Sequence, residues 1–402
     1  MENLTHDRGS NTGKCTVTPA GGAPALSVRL LPRSMGAAAC LAILAWAFTA
    51  CSAPPATPSA SFPTQTLPSD GHIHYVGRID NRDPQHFTMS FPGSAMVVHF
   101  QGSGFDAQFS TTIADHLQVV IDGRASPAFA VTKEPAFYPI ASGLPPGEHT
   151  AVIYKATETN RGTLAFYGLR LQPGTRLLRV PDAKRNIEFI GDSITAGYGD
   201  LGANEHEPVS PANSNWYFTY AAITARQLGA EQVTVAVSGI RLTQSGEWDA
   251  MPRVYRRVHS YDPAYLWDFK RGPMPDVVVI NLSTNDFRHH PAIDKQGPPD
   301  EAEWTKTYED FLDFVRSQRP SAEIYLADGP LMPPGPDLDH VQAWNREVLT
   351  QRVASGDTRC HVLSFPVQKG DDGYGSDFHP SVKTHAKMAD QLIAAIRADK
   401  GW

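Results

Sequence analysis

The sequence predicts an α/β protein, a three-layer α/β/α domain over residues 179–402 preceded by a β-sandwich over residues 71–178. Three observations predict it. After residue 181, strand-like apolar runs at 187–190, 233–237, 277–282, 324–327 and 362–365 alternate with helical stretches at 216–228, 301–319, 339–354 and 381–398. Alternation of that kind means a parallel sheet with helices on both faces. Between residues 71 and 173 the runs are short and β-like (96–100, 117–121, 150–154, 164–169) and are broken by Gly, Pro, Asp and Asn. No long 3.6-residue stripe interrupts them, which favours a sandwich of jelly-roll type. Finally, 402 residues that are 41% hydrophobic and 19% charged suit two globular domains.

The first 51 residues read as an export signal. Arg29 and Arg33 form a basic patch, and residues 36–50 are almost wholly small or apolar. The stretch is too short and too early for a lasting membrane span. It ends in Phe48-Thr49-Ala50-Cys51, which resembles a bacterial lipobox, so Cys51 is expected to carry lipid and tether an exported protein to an envelope membrane. Release to the periplasm or the medium without lipid is the alternative. Cys15 and Cys40 leave with the signal, so Cys360 has no partner for an internal disulfide. Beside the strand-like run 361–365 it reads as a buried small hydrophobe rather than a reactive thiol. Residues 52–70, rich in Pro, Ser, Thr and Ala, read as an extended tether. The formal net charge of −7, without a basic stripe, excludes nucleic acid as a partner.

In open parallel sheets the site lies beyond the carboxyl ends of the strands. Four residues fall there. Gly191-Asp192-Ser193-Ile194 follows the first run, and a strand that ends in a Gly turn, presents a serine and enters a helix holds a hydroxyl nucleophile at the top of a sheet. Gly239 follows the second run in Val237-Ser238-Gly239-Ile240, Asn285 follows the third in Thr284-Asn285-Asp286, and His379 precedes the last helix in Asp377-Phe378-His379-Pro380. A serine hydroxyl needs a base to take its proton, and His379 is the best placed. Acyl transfer also needs donors aimed at the developing oxyanion. The candidates are the backbone N–H groups of Ser193 and Gly239 and the side-chain amide of Asn285. Asp192 reads as a helix cap, and His385, inside the last helix, as packing. His289 and His290 have no carboxylate at ligand spacing, so neither metal nor cofactor is expected.

These blocks together resemble those of the SGNH (GDSL-like) hydrolases. The string from Ile187 through Gly191-Asp192-Ser193-Ile194-Thr195-Ala196-Gly197-Tyr198-Gly199, with His379-Pro380-Ser381-Val382-Lys383-Thr384-His385, is closer still to carbohydrate esterase family 2. Those enzymes place a β jelly roll ahead of a flavodoxin-like SGNH domain and remove acetyl groups from plant polysaccharides. The resemblance implies Ser193 as nucleophile, His379 as base, and Ser193, Gly239 and Asn285 as the oxyanion hole. It implies an acetylxylan- or glucomannan-type substrate and an acetyl-enzyme intermediate. Two positions depart from the family pattern. The usual Gly two residues before the third-block Asn is Ser283, which is expected to narrow the pocket floor. The Asp usual three residues before the catalytic His is Ser376. Asp377 is a candidate orienter of His379, and a backbone carbonyl is the alternative, so a Ser193–His379 dyad is the expectation. Trp216, Tyr217 and Trp344 are candidates for stacking on a sugar, with core packing as the competing role for each. Two other functions compete: an SGNH esterase acting on lipid, peptidoglycan or exopolysaccharide esters, and a non-catalytic carbohydrate-binding surface lipoprotein. The sandwich itself could bind glycan or simply brace its neighbour.

Overall fold

The structure, a computed structural model, describes residues 65–243, 249–287 and 299–402. The export segment, Cys51, His289 and His290 lie outside the described residues.

The first part is a sandwich of two antiparallel sheets. One orders Gln65–Thr66, Leu164–Leu171, Phe105–Thr111 and Ala136–Ala141, with Phe87–Met89 also on Leu164–Leu171. The other orders Arg176–Leu178, Ala95–Gln101, Glu148–Lys155, His116–Ile121 and Arg124–Ala125. All four β-like runs quoted above are strands here. The alternation along Ala95–Gln101 turns Met96, Val98 and Phe100 inward against Phe105, Phe109 and Phe166, as expected when one face of each sheet meets the other. Pro139 sits in the edge strand Ala136–Ala141, where a missing N–H is tolerated. One boundary is corrected. Gln65 and Thr66 pair with Arg170 and Leu169, and the Tyr75 hydroxyl donates to the Pro68 carbonyl, so the sandwich begins inside the segment read as tether.

Among the described residues the second part carries five parallel strands: β1 (Asn186–Gly191), β2 (Glu231–Ala236), β3 (Val277–Asn281), β4 (Glu323–Asp328) and β5 (Cys360–Ser364). Their order, β2-β1-β3-β4-β5, is that of a doubly wound sheet. Near-continuous burial along β1, β3 and β4 reflects helices on both faces. Helices α1 (Ser193–Ala196), α2 (Tyr220–Leu228), α3 (Met251–Val254), α4 (Thr284–Phe287), α5 (Glu301–Gln318), α6 (Pro336–Ala354) and α7 (Val382–Lys400) complete it. The helix expected from residue 216 is divided: Trp216–Phe218 is a 3-10 turn, and Thr219 caps α2 by accepting the Ala222 N–H at 3.3 Å. Cys360 is buried, and burial pushes its thiol up, so it packs rather than reacts. No helix among the described residues is long and apolar enough to cross a membrane.

Buried polar contacts join the two parts. Asn215 Nδ2 donates to Gln118 Oε1 at 3.0 Å, and the Trp216 N–H to the Ala156 carbonyl at 2.8 Å. Arg78, from the sandwich, reaches Glu188 in the middle of β1.

Candidate active site

The strand register brings the site blocks together. Gly191, the last residue of β1, pairs with Ala236 of β2 on one side and Asn281 of β3 on the other. Ser193, Gly239 and Asn285 therefore lie two, three and four residues beyond adjacent strand ends. Asp192 caps α1, its Oδ1 accepting the Ile194 N–H at 2.9 Å, and this presents Ser193 as the first helical residue. Ser193 Oγ lies 2.9 Å from Nε2 of His379. The other ring nitrogen, Nδ1, is 3.0 Å from the backbone carbonyl of Asp377, which fixes Nδ1 as the protonated nitrogen and leaves Nε2 as acceptor. Tyr198 packs its ring 4.5 Å from the imidazole.

The loop holding His379 explains the carbonyl. Asp377 and Phe378 both take left-handed backbone angles, φ 52° and 58°. The Asp377 carbonyl faces the imidazole while its side chain is exposed, so the carboxylate is not the orienter. Ser376, where the family pattern has Asp, is fully buried and instead locks the loop: its N–H donates to the Gly199 carbonyl at 2.8 Å and its Oγ accepts from Asn213 Nδ2 at 3.1 Å. The second departure, Ser283, takes φ 86°, the left-handed conformation in which glycine is favoured.

A carboxylate pair ties the remaining blocks. Asn285 Nδ2 donates to Asp192 Oδ2 at 3.3 Å and to the Ile240 carbonyl at 3.0 Å, linking the loops after β1, β2 and β3. Asp286 accepts the Leu242 and Thr243 N–H groups at 3.0 and 2.8 Å and the Thr243 hydroxyl at 2.6 Å. Two cavities open beside these residues. One, of 760 Å³, is walled by Asn160, Gly239, Arg241 and Tyr261; the other, of 390 Å³, by Thr284, Phe287, Met332 and Phe378.

The family model for the carbohydrate esterase 2 N-terminal domain matches residues 75–181, and that for the GDSL-like Lipase/Acylhydrolase family matches residues 189–387. The Cellulase/esterase CelE of Acetivibrio thermocellus is 36% identical over 333 residues, 82% of this chain and 40% of that relative, so the chain spans less than half of CelE. An acetylxylan esterase / glucomannan deacetylase of Cellvibrio japonicus is 27% identical over 352 residues, 84% of this chain and 93% of that one. The structure of a family two carbohydrate esterase from Clostridium thermocellum in complex with cellohexaose has a TM-score of 0.76 at 35% identity, covering 82% of this chain and 99% of the other. The chain belongs to the family-two carbohydrate esterases.

In this family-two member the three aromatics proposed as sugar platforms are core. Trp216 is 1% exposed, packs so closely on Gly93 of the sandwich that a Cβ there would collide with the indole ring, and donates from Nε1 to Thr234 Oγ1 at 3.1 Å. Tyr217 is buried between Tyr154 and the Arg226 guanidinium. Trp344 is buried among Phe287, Trp304 and His340. None offers a face to a sugar, because the helical and 3-10 positions that carry them point inward. The exposed aromatics at the site's edge are Phe378 and Tyr261, at 50% and 60%. Phe378 stood in the quoted fourth block, and its place beside His379 was the signal available. His385 is buried, accepts the Tyr220 N–H at Nδ1 and is pushed down to about 3 by burial, so it packs as a neutral ring. Among the described residues no cluster of His, Cys, Asp or Glu could hold a metal ion.

Burial, with a smaller contribution from the charge of Asp286, pushes the Asp192 carboxyl up to about 7. Its folded pKa lies above the value of about 4 in an unfolded chain, so it supports the fold fully below pH 4 and loses that support as pH rises through 7. The Asp192→Asn variant, which can still cap α1, lacks this dependence. Its stability relative to wild type is expected to rise between pH 5 and 8, by at most about 1.4 kcal/mol per pH unit. Thermal unfolding of both proteins across that range checks it; a constant difference would place the titration elsewhere.

Proposed function

We propose that the chain is an exported serine esterase that removes O-acetyl groups from a polysaccharide of the xylan or glucomannan type. The observation that carries this reading is the Ser193 Oγ–His379 Nε2 contact of 2.9 Å, with Nδ1 held by a carbonyl 3.0 Å away. Ser193 Oγ attacks the acetyl carbonyl while Nε2 takes its proton. The oxyanion is met by the N–H groups of Ser193 and Gly239 and by the Asn285 amide, which gives up its bond to Asp192 or Ile240 to do so. Collapse returns the proton from His379 to the departing sugar oxygen and leaves an acetyl-serine. Water, deprotonated by the same Nε2, then releases acetate and restores the hydroxyl.

The substrate class is supported by the Cellvibrio relative, named as an acetylxylan esterase / glucomannan deacetylase, and by the cellohexaose complex of the Clostridium neighbour. The cavities beside Gly239 and Phe378, edged by exposed aromatic rings, suit sugar rings flanking a small acyl group. Export and acylation at Cys51 rest on the N-terminal sequence pattern.

The test is acetate release from acetylated glucomannan and xylan, with p-nitrophenyl acetate compared against octanoate, in the presence and absence of EDTA. Acetyl esters are expected to be preferred by at least about tenfold, a preference that small pockets readily supply, with no effect of chelation. Equal activity on octanoate would make it a lipid esterase, and no turnover of any acetylated sugar would favour a carbohydrate-binding role.

A further inference from the structure

The sandwich sends one buried carboxylate to the loop after β2. Glu158 is 1% exposed, and one of its carboxylate oxygens accepts the hydroxyl proton of Ser238, the residue before Gly239. The other lies 3.5 Å from Nε of Arg161. Glu158 is fixed from behind. Lys155 Nζ donates to the carbonyls of Thr157 and Glu158 at 2.8 and 3.0 Å and pairs with Asp115 at 2.7 Å, both charged side chains being fully buried. Asp115 in turn accepts the hydroxyls of Thr111 and Thr157, each at 2.6 Å.

What Glu158 grips is a turn. The Ile240 N–H donates to the Val237 carbonyl at 3.2 Å, Gly239 has φ 80°, and Ser238 is not among the positive-φ residues, so Val237 to Ile240 form a type II turn with Ser238 and Gly239 at its centre. Types I and II differ by a half-rotation of the central peptide, which here carries the Gly239 N–H. A flip would aim that N–H to the opposite side. We propose that Glu158 is a positioning residue that holds this peptide in the orientation that points the Gly239 N–H at the oxyanion, making the sandwich part of the catalytic device. This rests on the reading of Gly239 as an oxyanion donor.

A plain brace would be better built from apolar side chains, because burying a carboxylate is costly unless its geometry is used. Burial does push the Glu158 carboxyl up, against the pull of Ser238 and Arg161. The polar contact also falls on the one residue whose orientation sets the donor, while bracing of the two parts is already supplied elsewhere by Asn215, Trp216 and Arg78.

The experiment measures kcat, KM and the unfolding midpoint of the full chain carrying Ser238→Ala, Glu158→Ala, Glu158→Gln or Ser238→Ala with Glu158→Ala, using p-nitrophenyl acetate. Loss of a well-aimed oxyanion donor costs about 100- to 1,000-fold, so partial misaiming is expected to lower kcat by about tenfold or more in both alanine variants with KM within about twofold. Glu158→Gln, whose amide oxygen still accepts, should stay within about threefold of wild type, and the double variant should be no worse than the poorer single one. Ser238→Ala at wild-type kcat, whatever its stability, overturns the proposal, and so do losses that multiply in the double variant. Should Glu158→Ala not fold, Ser238→Ala decides alone. Ser193→Ala run alongside separates the two levels: if it keeps activity the site reading itself fails, whereas its inactivity with an active Ser238→Ala sinks only the role of Glu158.

Discussion

The Ser193→Ala variant is expected to lose about 10⁴- to 10⁶-fold in kcat on p-nitrophenyl acetate, whereas Asp377→Asn keeps kcat within about threefold. The contrast follows from what touches the imidazole. Removal of the hydroxyl takes away the atom that forms the bond, and the residual rate is what binding and the oxyanion donors supply to water alone. Asp377 contributes only its carbonyl, 3.0 Å from Nδ1, and its carboxylate is exposed. In a Ser-His-Asp triad, converting the carboxylate to an amide costs about 10⁴-fold because the imidazole takes the wrong tautomer and the imidazolium loses its counter-charge. Neither loss applies when a backbone carbonyl holds the proton. Asparagine also tolerates the left-handed φ of 52° at this position, so the loop keeps its shape. Steady-state kinetics of the two variants decide the matter. Ser193→Ala within about tenfold of wild type would remove the proposed nucleophile, and an Asp377→Asn loss of 100-fold would mean that the carboxylate swings in during catalysis.

The same contrast marks how much of the site could be read from the sequence. Ser193, Gly239 and Asn285 were legible because each follows the end of a hydrophobic run, and strand ends in a parallel sheet converge on one edge, while His379 was legible from its place in a turn-rich loop directly before the last helix. A backbone carbonyl as orienter stood as the alternative through the family resemblance, but its identity was not legible, since sequence gives residue types and not which carbonyl a loop with two successive left-handed residues turns inward. The sugar platforms failed for a related reason. An aromatic in a predicted helix has no assigned face until the helix is packed, and Trp216 points at Gly93 of the other domain, a partner that lies 123 positions away in the chain. The fold class was legible from periodicity alone. The strand at Gln65–Thr66 was not, because two residues carry no period and are held there by pairing with Leu169 and Arg170.

Glu188 gives the second large effect. It lies in the middle of β1 and is 1% exposed, between Arg319, whose Nε is 2.8 Å from Oε2, and Arg78, whose Nη2 is 3.5 Å from Oε1. Tyr255 donates its hydroxyl to Oε2 at 3.0 Å. Two guanidinium groups, one from each part of the molecule, therefore share one carboxylate away from water. Glu188→Gln keeps the shape but leaves two buried positive charges facing each other, and breaking a buried pair in this way costs about 3–5 kcal/mol. Arg78→Met removes a charge instead and leaves the Glu188–Arg319 pair neutral. It forfeits the hydrogen bonds from Nη1 to the carbonyls of Tyr255 and Arg257, and a smaller loss of about 1–3 kcal/mol is expected. Thermal or denaturant unfolding should thus rank wild type above Arg78→Met and Arg78→Met above Glu188→Gln, with the last lowered by roughly 10 °C. The reverse order would mean that Arg78 acts mainly by satisfying the two carbonyls and that its pairing with Glu188 contributes little. Because Arg78 is in the sandwich and Glu188 sits in the middle of β1, the strand that leads into Ser193, the expected order also implies that the two parts share stability through this buried charge.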